Sequence, residues 1–169
     1  MKRLNFLLWL VALQVILFIV SGCSTSTPEK NAAKEKEMLA SLSKESNDFC
    51  NKEEYKKFFI KSPCYANDIT AEQLSDKSMI QESEKNDFLK YREEISSIDK
   101  KFSDIAQTYG DAKDKEFGKF LEKYSIVNKR KASLEFAEGK ISWGEFNKSR
   151  KDIAQEGEKE RIRIYGSGK

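Results

Sequence analysis

The sequence predicts an all-α protein: an antiparallel three-helix bundle with coiled-coil-like packing, preceded by a signal peptide, a flexible tether and a small disulfide-stapled segment. Three observations carry this. Phe88, Tyr91, Ile95, Ile98, Phe102, Ile105 and Tyr109 recur in alternating steps of three and four, the a/d seam of a helix that packs lengthwise on a neighbour. After a polar turn from Asp111 to Asp114 the pattern resumes at Phe117, Phe120, Tyr124, Val127, Lys131 and Leu134, and two long helices joined by a short turn should lie antiparallel. Helix starts are written at Thr70 and at Ser142, each followed three residues on by a side chain that can complete a capping box, Gln73 and Glu145.

The N-terminus is of another kind. Lys2 and Arg3 precede an apolar run from Leu4 to Val20 that closes on Val20-Ser21-Gly22-Cys23, the pattern of a secretory signal. It resembles the lipobox of bacterial lipoproteins, with Cys23 at the lipid-bearing position. The resemblance ends at Cys23 and speaks of address and anchor. It implies cleavage before Cys23, palmitate-type acyl chains on that residue and attachment to the membrane, since stable anchoring takes more than one chain. Ser24 stands where an aspartate commonly marks retention at the inner membrane, so the resemblance points to a lipid anchor in the outer membrane, with the chain facing the periplasm or the surface. The other reading is an uncleaved spanning helix, for which Leu4–Val20 is at the lower limit of length; an anchor of that kind would need no small residues and cysteine at its end.

The organisation that follows is a signal peptide over 1–22, a lipidated tether over 23–34, a disulfide-stapled segment over 35–77, the helical bundle over 78–165 and a frayed C-terminus over 166–169. The tether begins with the small polar residues Ser24 to Thr27. Glu35 to Phe49 carries only a thin apolar stripe, Met38, Leu39, Leu42 and Phe49. Of the three cysteines, Cys50 and Cys64 remain once Cys23 is given to lipid. An even pair in an oxidising compartment reads as a disulfide, worth about 3 kcal/mol for a loop of this length. Free thiols or a metal site are the competing readings, the latter weakened by a sequence with no histidine. The loop's aromatics, Tyr55, Phe58, Phe59 and Tyr65, are either a small core or an exposed partner contact.

Ser78 with Gln81 offers a further capping box, which would start the seam helix there and make it about 45 Å long, ending at Gly110. Gly139 suits the left-handed position just past a helix end, so Glu138 to Phe146 reads as a tight corner between helices. From Trp143 to about Arg163 the stripe Phe146, Ile153, Ala154 is interrupted by Arg150 and Gly157. The tail Arg161–Tyr165 alternates with period two, but with no strand to pair it reads as the end of that helix.

Composition narrows the function. The chain is 35% charged with a formal net charge of +3, which includes Lys2 and Arg3. Such a balance argues against a nucleic-acid binder, which concentrates uncompensated positive charge. The commonest general acid/base is missing with histidine, no Gly-rich phosphate loop or nucleophile elbow occurs, and pairs such as Glu53-Glu54 or Glu93-Glu94 do not share a helix face. No catalytic residue, cofactor or metal site is therefore expected. A C-terminal lysine is where the murein lipoprotein joins the cell wall, and Lys169 resembles it in position alone, which keeps peptidoglycan among the partners to test. The expectation is a non-catalytic, lipid-anchored envelope protein, a structural or adaptor module that binds another envelope component or a second copy of itself. The alternative is an inhibitor or exclusion lipoprotein that uses the Cys50–Cys64 loop to block a hydrolase, a phage or a conjugation machinery, a loop preorganised by its disulfide losing less entropy on binding.

Overall fold

The structure, a computed structural model, describes residues 28–166. The chain divides between Asn31 and Ala32, and the packing described below belongs to the unit Ala32–Lys169. The expected signal peptide, Cys23 and Lys169 lie outside the described residues. All regular structure among the described residues is helical. The helices are α1 (Pro28–Cys50), α2 (Lys56–Lys61), α3 (Ala71–Ser75), α4 (Lys85–Tyr109), α5 (Ala112–Phe120), α6 (Val127–Ala137) and α7 (Trp143–Tyr165). A π-helical segment, Leu121–Ile126, carries α5 into α6 without a break. α4 lies against α5, the π segment and α6, and α7 packs on the same three elements and on α3.

The core is aromatic and sits at one end of these rods. Phe88, on the first turn of α4, is fully buried and meets Phe136, Phe146, Phe58 and Trp143 with ring centroids 4.9, 5.4, 5.6 and 5.8 Å away. One turn on, Tyr91 stacks on Phe49 of α1 and Phe58 of α2 at 5.7 and 5.5 Å. Edge and offset ring contacts at such distances add about 0.5–1.5 kcal/mol each beyond the area they bury. The stapled segment is therefore part of the main core.

Local chemistry places the helix ends. Thr70 Oγ1 accepts from the Gln73 amide while the Thr70 amide donates to Gln73 Oε1, and Ser142 and Glu145 make the same reciprocal pair. At the other end of that corner Gly139 has φ +70°, with the Lys140 amide on the Glu135 carbonyl and the Gly139 amide on the Phe136 carbonyl, a Schellman termination of α6. The first amides of α7 have no partner within the helix; Trp143 donates to the Ser78 carbonyl at 3.0 Å and Gly144 to the Asp76 carbonyl at 2.8 Å. A β-carbon at Gly144 would lie 2.4 Å from the Leu74 carbonyl oxygen, so only glycine fits this crossing.

Several expectations are corrected. Residues 28–34, expected within the tether, are helical, with Pro28 at the first position where its missing amide costs nothing. The seam helix starts at Lys85, after a turn at Glu82–Glu84, and not at Ser78. Ser78 is occupied elsewhere: its amide donates to Asp76 Oδ1 and its carbonyl serves Trp143. Asp111 and Asp114, expected as turn residues, form a capping box at the start of α5. Within the seam Phe88, Tyr91 and Ile105 are buried, Ile95 and Ile98 are half-buried and Phe102 is exposed. The second stripe holds only to Tyr124. Beyond the π segment Val127 and Leu134 face solvent at 56% and 43% exposure, while Ala132, Ser133, Phe136 and Ala137 are buried. A π turn inserts an extra residue into the α-helical repeat, which rotates every later side chain about the axis.

Candidate functional site

The disulfide is formed: Cys50 and Cys64 have Cα atoms 5.7 Å apart. Of the four aromatics expected as a partner contact, Tyr55 and Phe58 are buried in the core and Phe59 is half-buried, ringed by Phe49 and Tyr91 at 6.3 and 5.7 Å. Tyr65 alone is exposed, at 48%, and its hydroxyl donates to Asn47 Oδ1. The Tyr55 hydroxyl donates to Glu94, 2.6 Å away; burial, then that carboxylate, hold the phenol protonated well above its ordinary range. These four side chains do not make one exposed patch, because three of them fill the volume between α1, α2 and α4.

What binds the stapled segment to the rods is Arg150, read from sequence as an interruption of the α7 stripe. It is buried, and its guanidinium donates to the Ser62 hydroxyl, to the Pro63 carbonyl at 2.7 Å and to the Cys64 carbonyl at 2.8 Å. Burial, with Arg92 nearby, pulls its pKa down to about 10. Arg92 of α4 is equally buried. Its Nε donates to Ser133 Oγ at 3.0 Å, and its guanidinium carbon lies 5.3 Å from the Tyr91 centroid and 5.5 Å from that of Phe146. Arg150 lies 6.0 Å from the same Phe146 ring, so the two cations share one neighbourhood.

Both arginines line a cleft of about 570 Å³ between the stapled segment, α4, the α5–π junction and α7. Ile95, Ile98, Phe117, Leu121 and Ile153 supply apolar lining. Two carboxylates reach the cleft, and both are engaged: Asp99 accepts from Lys129 at 2.9 Å and Glu158 from Arg161 at 2.7 Å. Among the described residues no carboxylate lies within ion-pair distance of Arg92 or Arg150, and Arg92 Nη1 is buried with no hydrogen-bond partner. Chemically this is a place to hold an anion. Sequence reasoning passed over Arg92 and took Arg150 only as an interruption of the stripe; the available signal was a charge standing at an apolar stripe position, as Arg150 does between Phe146 and Ile153.

A second surface adjoins the cleft, the two sharing Arg92, Ile95, Asp99 and Lys129. Leu89 of α4 and Leu134 of α6 line one crevice with Arg130 and Lys100, and Val127 lies on the Leu134 face of α6 two turns earlier. All three are exposed. No helix among the described residues is long and apolar enough to cross a membrane. Compared with protein-family models, with curated proteins and with solved structures, the chain matches none.

Proposed function

We propose that this chain is a non-catalytic, lipid-anchored protein of the cell envelope, held in the outer membrane through Cys23, whose three-helix bundle presents a helix face to another envelope component. The observation that carries the adaptor reading is the outward face of Leu89, Val127 and Leu134. Two of these are heptad apolar residues that the π segment turns away from the core, and an aliphatic patch kept at the surface is a mark of an interaction site. Arg130 and Lys100 beside the patch suit a partner helix that carries aliphatic and acidic side chains. The anchor rests on the lipobox resemblance.

The reading is tested by crosslinking in cells followed by identification of what co-purifies, with Cys23→Ala as the unanchored control. A single defined envelope protein recovered with the anchored chain and lost with Cys23→Ala supports the proposal. Recovery of the chain alone, or of peptidoglycan alone, supports a structural spacer and contradicts it. The inhibitor alternative draws on Ile60 and Tyr65, which remain exposed on the stapled segment, and predicts crosslinks from those positions.

A further inference from the structure

The cleft between the stapled segment and α7 raises a question separate from the outward face of α6. A guanidinium kept from water is costly unless an anion or a full set of acceptors offsets it. Arg150 has its acceptors, yet the carbonyls and hydroxyl that bond it are neutral and leave its charge standing. Arg92 has less: one bond from Nε to Ser133 Oγ, two aromatic neighbours, and a buried Nη1 with no partner. The two carboxylates that reach the cleft are committed elsewhere, Asp99 to Lys129 and Glu158 to Arg161. A cleft of about 570 Å³ is within the range of roughly 300–1,000 Å³ typical of small-molecule sites.

We infer that this cleft is a binding site for an aliphatic carboxylate, with the carboxylate on Arg92 in the field of Arg150 and the alkyl chain along Ile95, Ile98, Phe117 and Ile153. The charge count favours a carboxylate over a dianionic phosphate. Lys129 and Arg161 are already paired, and a guanidinium whose Nε is bonded to Ser133 has its remaining edge to offer to one planar, singly charged group. The isoleucines explain the rest of the ligand, because the seam residues Ile95 and Ile98 line this space where a closed bundle would have buried them. The site goes beyond the adaptor reading and does not rest on it, since Leu89, Val127 and Leu134 do not line the cleft.

The probe is hexanoate against its uncharged isostere hexanamide, titrated into the full chain in uncharged detergent and followed by isoleucine methyl resonances. Saturable shifts confined to Ile95, Ile98 and Ile153, with Ile60 and Ile162 unmoved, and at least tenfold weaker binding of hexanamide are the expected result. Arg92→Gln should bring hexanoate down to the hexanamide level, and Arg92→Lys should restore part of the difference. Equal binding of the two probes would reduce the cleft to an apolar cavity and overturn the assignment. So would the absence of saturable shifts up to about 10 mM hexanoate, an affinity below about 3 kcal/mol. The comparison of probes on the unaltered chain decides the matter even if Arg92→Gln fails to fold.

Discussion

Arg150 on α7 holds the backbone of Cys64, its guanidinium 2.8 Å from that carbonyl oxygen and 2.7 Å from the carbonyl of Pro63. A charged side chain thus seals one end of the loop that the disulfide closes. Arg150→Met keeps much of the volume and leaves two carbonyls and the Ser62 hydroxyl without donors, which should cost about 2–4 kcal/mol in urea unfolding. Arg150→Lys should recover less than half of that, since an ammonium cannot span the three acceptors that the planar guanidinium reaches.

The disulfide and Arg150 hold the same segment by independent means. Reducing Cys50–Cys64, which spans 14 residues in sequence, should lower stability by about 3 kcal/mol. The near-ultraviolet dichroism of the packed rings should survive reduction, because Phe49, Tyr55, Phe58 and Tyr91 remain in contact. Loss of that signal under native conditions would show that the staple, and not the ring cluster, holds the segment in place.

Two glycines should respond differently to alanine. Gly139→Ala places a side chain at φ +70° with open space around it, a strain of about 1 kcal/mol. Gly144→Ala drives a β-carbon against the Leu74 and Asp76 carbonyls and should cost about 2–3 kcal/mol, read by thermal or urea unfolding. An inverted order would contradict the crossing of α7 over the end of α3.

Asp76 should hold its charge to lower pH than most carboxylates. Hydrogen bonds from Lys61 and from Ser78 hold its pKa down from the ordinary 3.8 to about 2. A depressed carboxylate contributes stability that is fully present above its unfolded pKa and is lost as pH falls through the folded one, so the loss belongs between about pH 4 and pH 2. Asp76→Asn should flatten that part of the stability profile and cost about 1–2 kcal/mol at neutral pH.

The helical class was legible because its signals are local: alternating steps of three and four, and the Thr70–Gln73 and Ser142–Glu145 boxes, which form as written. What the sequence hid was set at a distance. The π segment has no compositional mark, yet it moves Val127 and Leu134 to the surface and Ala132 and Phe136 to the core. Ser78 looks like a helix cap until the α7 amides claim its carbonyl. Arg92 and Arg150 look like solvated charge, and their burial depends on a Phe146 ring and on a loop far away in sequence. Tyr55 and Phe58 were open between core and contact patch, and α4 decides for core by placing Tyr91 and Phe88 against them.

The most direct test of the adaptor reading is position-resolved photo-crosslinking in cells, with the reactive side chain at Leu134 in one version and at Ile60 in the other. Both positions are exposed, at 43% and 75%, and neither belongs to the core. A crosslink to one defined envelope protein from position 134, with none from position 60, is the predicted result. A crosslink from position 60 alone would contradict the account and move the function to the stapled segment.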